Sequence, residues 1–524
     1  MTAANVVPEW LSRRAQHSPQ TPALLFGGST WTFAELDAAA WNVAGKLAAL
    51  GARDGARIAL LASAGPDYVA LVHGVPRAGC ILVPLNTRLA PDEIAWQLKD
   101  AGASLLVYDA GSAEKARAAL AQVPGVTPVS LAGPEPGAVA WTGVSPEPLA
   151  GRDTIALDSV HSIIYTSGTT GRPKGAMITF GNHFWSAAGT WMHLGARPDD
   201  RWLAAMPLFH VGGMAILIRS AIAGVPVILH PRFDPAAANR AIDEDGATIV
   251  SVVATMLDRM IAERGDEPYP GTLRAVLLGG GPAPPALVAR AEALGVPILP
   301  TYGLTETASQ VACMAPGEAL GKPGAAGKPL FPARIRIVRD GRPAAPGEIG
   351  EIAVAGPNVT PGYWNRPEAT AAALRDGWLH TGDLGYLDAE GYLYVADRRE
   401  DLIISGGENI YPAEVEAALA AHPAVAEAAV VGAPDDHWGQ VPVAYIATRP
   451  GCAVSDEELL AFLRRRLAGY KIPRRIVRRE ELPKGPSGKI LRRSLREGLA
   501  DEPAAQPAEG PSSEGRAAGE REQV

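Results

Sequence analysis

Short apolar runs rich in branched residues alternate with helical segments along two long stretches, and this alternation restricts the fold more than any other feature of the chain. Between Arg57 and Tyr108 the runs RIALLA, ILVP and SLLVY separate helices expected over 66–78 and 91–101. Between Asp199 and Pro300 the runs VPVILH, ATIVSVV, RAVLLGG and VPILP repeat the arrangement. Strands joined through helices close most readily as a parallel sheet with helices on both faces. The expected fold class is therefore α/β, with two stacked αβαβα layers in one large N-terminal domain. After Arg334 the strands shorten (RIRIV, GEIAVAG, GYLYVA), predicting a small β-rich subdomain, and a smaller α/β C-terminal domain follows. The expected boundaries are 1–399, 400–497 and a tail over 498–524, whose Ala, Pro, Glu, Gly and Ser cannot bury enough surface to fold.

A chain of 524 residues exceeds the roughly 250–300 residues at which a single core stops growing. A net charge of −8 and a pI near 5.8 argue against a nucleic-acid surface and favour a small-molecule enzyme. The three cysteines, Cys80, Cys313 and Cys452, have no metal-ligand spacing and fit a reducing cytoplasm. The most apolar region, Leu203 to Leu229, is broken by Pro207, His210, Gly212, Gly213, Arg219 and Pro226, so it reads as buried strand and helix and not as a membrane span. No secretory signal is visible in MTAANVVPEW, and the composition leaves a homo-oligomer open.

Chemistry enters with YTSGTTGRPKGAM, Tyr165 to Met177. Gly168, Gly171 and Gly175 allow backbone N–H groups to converge on one anion, while Thr166, Ser167, Thr169 and Thr170 add hydroxyls and Lys174 adds a point charge. A nucleotide triphosphate is the natural guest; a polar surface turn is the plain alternative. The string is not the common P-loop, because Lys174 is followed by Gly175 and not by Ser or Thr.

This string resembles the nucleotide loop of the adenylate-forming enzymes, the superfamily of acyl-CoA synthetases, luciferases and peptide-synthetase adenylation domains. Later segments follow in that family's order: YGLTE at 302–306, TGD at 381–383, DRREDLIISGGENIYP at 397–412 and PSGKILRR at 486–493. The resemblance implies ATP, magnesium and coenzyme A as reactants and cofactors. It assigns Glu306 to magnesium and Tyr302 to the wall of an adenine pocket. Thr301, Gly303 and Thr305 flank that wall, and Gly279, Gly280, Gly281 and Pro282 lie opposite. Asp383 is implied as the ribose clamp and Arg398 as a ribose or phosphate contact. Thr166, Lys174, Glu306 and Lys489 are the catalytic candidates; by sequence alone Lys489 is merely one cation in a basic segment.

A second half-reaction is implied, in which the small, mobile domain turns about a hinge at Glu400 and presents SGGEN, with Gly406 and Gly407 passing a pantetheine arm. The basic run Arg464 to Arg466, with Arg474 and Arg475, is either a solvated face or a site for a CoA phosphate. Amino-acid-activating relatives carry an acidic residue where this chain has His210, which points to a carboxylated or neutral acid. The strings TFGNHFWSA, LLGGGPAP, TYGLTETASQ and GKPLF are similar to those of CoA ligases whose acid bears a second, aromatic carboxylate. His210, Thr301 and Ser309 are the candidate partners for that group.

Overall fold

The central strands of both large sheets are buried on both faces, which their unbroken apolar runs dictate: Ile58, Ala59, Leu60 and Leu61 are wholly inaccessible. A computed structural model describes residues 5–149, 154–166, 173–281, 284–397, 402–449, 451–483 and 492–501. These divide into two compact units at residue 400.

In the first unit, a seven-stranded sheet has parallel strands Ile81–Pro84, Arg57–Leu61 and Ala103–Tyr108 at its centre. A nine-stranded sheet is built around parallel strands Val227–Leu229, Trp202–Ala204, Ile249–Val252, Ala275–Leu278 and Ile298–Leu304. Helices form where the sequence supplies stops and starts. Thr179 caps the helix Phe180–Leu194 by accepting from Asn182 N, and the Asn182 side chain answers Thr179 N. Gly224, at φ +77°, ends the helix Val211–Ala223. The apolar 203–229 region is strand, helix and strand, and no described helix is long and apolar enough to cross a membrane.

Parallel order fails at the edges, and the motifs lie there. Val160–Thr166 turns back antiparallel into Lys174–Thr179, and Ile298–Leu304 turns back into Ser309–Cys313. A third, antiparallel sheet of six strands holds Arg334–Arg339, Gly350–Ala355, Trp378–Leu387 and Leu393–Asp397. The second unit packs Pro412–Ala420 and Asp456–Arg464 on a five-stranded sheet through Val415, Leu419, Leu459 and Leu463.

His73, His161 and His183 are buried within the first unit; the His161 and His183 rings are 4.7 Å apart. Burial lowers all three, His73 and His161 to about 3, and the neighbouring cations or histidines add to the effect. They are neutral in the folded chain, so stability is fully present above pH 6.5. It falls as pH drops from 6.5 toward 3, where only the unfolded chain takes up these protons, by about 1.4 kcal/mol per histidine per pH unit. Guanidinium unfolding at pH 7.5, 6.0 and 5.0 should show this slope, and His73→Gln should flatten it. A variant with the wild-type slope contradicts the assignment.

Candidate adenylating site

The phosphate-loop hairpin is anchored on its described flanks. Thr166 pairs in register with Lys174 and its hydroxyl donates to the Lys174 carbonyl at 3.3 Å. Tyr165 donates to Asp100 Oδ2 at 2.9 Å, and burial followed by the Asp100 charge holds its phenol well above the usual range. Ser167, Gly168, Thr169, Thr170 and Gly171 lie outside the described residues, as do Pro282, Arg398, Glu400, Lys489 and most of the 498–524 tail.

The structure joins this hairpin to Glu306 through a residue without a motif of its own. The chain at Tyr363 bridges Ala176, and Trp364 N donates to Gly175 O at 2.7 Å, so Tyr363 lies beside the hairpin. Its ring sits 5.5 Å from Lys174 Nζ and its hydroxyl donates to Glu306 Oε1 at 2.7 Å. Glu306 is half-buried in the single 3₁₀ turn Thr305–Thr307. Among the described residues no donor is bonded to its Oε2. One uncommitted hard oxygen suits magnesium, which keeps several waters and takes its other ligands from phosphate.

The turn that carries Glu306 is tight. A Cβ on Gly303 would lie 2.2 Å from Ser309 O, and the turn returns through Ala308 (φ +51°) and Ser309 (φ +96°). Two consecutive left-handed residues that are not glycine store about 1–3 kcal/mol each, a strain that collects at functional sites. Tyr302 is 2% exposed, and its hydroxyl donates to Asp383 Oδ2 at 2.7 Å. Asp383 is an interior residue of the strand Trp378–Leu387 and is 6% exposed. Gly279 and Gly280 follow strand Ala275–Leu278; Gly279 abuts the Thr301 methyl, and Gly280, at φ +77°, abuts Val253. Gly281 is half-buried beside them.

In the second unit Gly406 (φ +57°) and Gly407 (φ +84°) make the two-residue turn between Ile403–Ser405 and Glu408–Ile410. Both angles are positive, the requirement of a type I′ hairpin. A Cβ on Gly406 would also strike the Trp438 ring at 2.7 Å. Arg464, Arg465 and Arg474 are exposed, whereas Arg466 lies over Phe462 at 3.6 Å.

Residues 11–364 match the model of the AMP-binding enzyme family, and residues 414–489 match that of the AMP-binding enzyme C-terminal domain. The chain belongs to the AMP-binding enzyme family. It is 49% identical over 498 residues to the 2-succinylbenzoate--CoA ligase of Geobacillus kaustophilus, covering 94% of this chain and 97% of that one. It is similar to the o-succinylbenzoate CoA synthetase of Bacillus subtilis, whose double mutant bound to the product analogue OSB-NCoA gives a TM-score of 0.88 at 42% identity, covering 94% of this chain and 99% of the other. The same synthetase in complex with ATP and magnesium ion gives 0.71 at 43% identity, covering 94% and 99%.

Within this AMP-binding fold one further charged side chain is buried. Arg219, on Val211–Ala223, is 2% exposed and forms no ion pair among the described residues. Its Nη2 is 3.3 Å from Ser186 Oγ, its guanidinium lies 5.6 Å from the Trp202 ring, and its Nε has no partner among the described residues. Burial lowers it to about 10, so it stays charged at neutral pH. The neighbouring Cys313 thiol is pushed up to about 12 by burial and supplies no counter-charge. Thr301 adjoins Cys313 but donates its hydroxyl to Ala312 O at 2.7 Å, so that proton is already committed. His210 precedes the same helix, about 13 Å from Arg219 along the axis, so the two mark separate points. A lone arginine in a 13-residue apolar helix was the available signal.

Proposed function

We propose that this chain is an ATP-dependent 2-succinylbenzoate:CoA ligase that works through an acyl-adenylate. The observation that carries this reading is identity approaching one half, over nearly the whole chain, to a ligase named for that acid. Arg219 supports it from inside the protein, since a buried, unpaired cation is costly and the aromatic carboxylate of the substrate is the anion that the reaction leaves untouched. A CoA ligase for another aryl or fatty acid is the alternative, and an acid without a second carboxylate would leave that charge uncompensated.

In the first half-reaction one oxygen of the aliphatic carboxylate bonds to the α-phosphorus of ATP, the bond from phosphorus to the β-bridging oxygen breaks, and pyrophosphate leaves. Such transfers are governed by position and by charge placed where it develops. Lys174 and the hydroxyls beginning at Thr166 meet phosphate oxygens, and Asp383 accepts from the ribose hydroxyls. Glu306 holds magnesium, which when bound neutralises phosphate charge. Lys489 bridges the carboxylate and α-phosphate, and Arg398 approaches ribose or phosphate. In the second half-reaction the CoA sulfur bonds to the acyl carbon, the bond from that carbon to the phosphate oxygen breaks, AMP leaves with the oxygen and the thiol proton passes to solvent, with the Gly406–Gly407 turn admitting pantetheine and Glu400 at the pivot.

Tyr363 positions Glu306. Tyr363→Phe keeps the ring under Lys174 and removes one hydrogen bond to a carboxylate, so the magnesium concentration for half-maximal adenylation should rise about tenfold. Conversion of supplied acyl-AMP to thioester should not change. Equal loss in both half-reactions counts against this role. The wider reading is tested by pyrophosphate release with a panel of aryl, fatty and dicarboxylic acids: 2-succinylbenzoate should turn over best, and an inert 2-succinylbenzoate beside another active acid ends the assignment.

A further inference from the structure

A cavity of about 270 Å³ lies within the first unit, lined by Glu9, Trp10, His73, Arg77, His161 and Phe180 among others. His161 is the second residue of the strand Val160–Thr166, which carries Thr166 at its far end, five residues or about 16 Å away, so the cavity does not belong to the adenylating site. Its charges are already matched. Glu9 accepts from Leu11 N, Ser12 N and Arg77 Nη2, the last at 2.7 Å, and Arg77 also pairs with Asp37 at 2.6 Å. Burial keeps both lining histidines neutral. A phosphate or carboxylate would find no spare cation here, and the described residues contain no cluster able to hold a metal ion.

Among the described residues, two lining groups, each more than nine-tenths buried, keep an unspent polar atom. They are His161 Nδ1 and Arg77 Nε. His161 bonds the Val72 backbone through its other nitrogen, which leaves Nδ1 as an acceptor, while Arg77 Nε is a donor. A buried polar atom without a protein partner calls for an explanation, and a bound hydroxyl of complementary type supplies one for both atoms. The remaining wall is aromatic: the Trp10 and Phe180 rings are 5.5 Å apart, and His161 meets Phe180 edge-on at 5.1 Å. We propose that this cavity binds a small uncharged aromatic alcohol, whose ring lies against Trp10 and Phe180 and whose hydroxyl donates to His161 Nδ1. A hydroxyl oxygen also offers the acceptor that Arg77 Nε lacks.

The probe is 2-naphthol, titrated calorimetrically into the full chain with the adenylating site filled by α,β-methylene-ATP and 2-succinylbenzoate. Saturable one-to-one binding is expected. 2-Methoxynaphthalene, which cannot donate, should bind about tenfold more weakly, the worth of one hydrogen bond. Ala156→Trp, which fills the cavity from its lining, should abolish binding of both. Independently, His161→Phe should bring 2-naphthol down to the affinity of its ether. Absence of binding, equal affinities for alcohol and ether, or unchanged binding in His161→Phe overturns the proposal.

Discussion

Arg219→Leu should raise the KM for 2-succinylbenzoate by about 10²–10³-fold, the effect of removing one member of a desolvated charge pair, and leave the KM for ATP within about twofold. The expected stability change runs the other way from most core substitutions. Because Arg219 has no carboxylate partner among the described residues, an apolar replacement relieves a buried charge, and the thermal midpoint should hold or rise. Arg219→Lys keeps the charge without the planar fork and should recover part of the loss. An analogue lacking the aromatic carboxylate separates recognition from general damage. It should react equally with wild type and Arg219→Leu; an equal fall for both acids would falsify the role in recognition.

Asp383→Ala should lower kcat/KM for ATP in adenylation by about 10²–10⁴-fold, since hydrogen bonds to a charged acceptor contribute about 1.5–3 kcal/mol each and ribose offers two. The same change leaves the buried Tyr302 hydroxyl without its 2.7 Å acceptor, so stability should fall by about 1–3 kcal/mol. Tyr302→Phe distinguishes the two contributions. It removes the internal hydrogen bond and keeps the carboxylate, so adenylation should fall only about tenfold. If both variants lose the same activity, Asp383 acts by holding Tyr302 and not by holding ribose.

Strand and helix alternation revealed the two parallel sheets because each run is buried on both faces and so reads as unbroken apolar sequence. The antiparallel edges were harder to see. Ser309–Cys313 has the same apolar character as a parallel strand, and its reversal depends on Ala308 and Ser309 adopting left-handed angles that their identities do not announce. Phosphate-loop, YGLTE and TGD residues were recognisable as candidates because their chemistry requires residue types at close spacing. Tyr363 was not, since it lies 57 residues beyond Glu306 and meets it only through the backbone bridge to Ala176. Arg219 was visible as an interruption of an apolar segment. Its meaning required the knowledge that no acid among the described residues pairs with it.

The most direct test of the central claim follows oxygen. 2-Succinylbenzoate labelled with ¹⁸O in its aliphatic carboxylate is converted by the purified chain with ATP, magnesium and CoA, and the nucleotide and phosphate products are weighed by mass spectrometry. An acyl-adenylate route predicts AMP carrying one ¹⁸O, unlabelled pyrophosphate and an equimolar acyl-CoA thioester. ADP with labelled inorganic phosphate, or AMP without label, contradicts it.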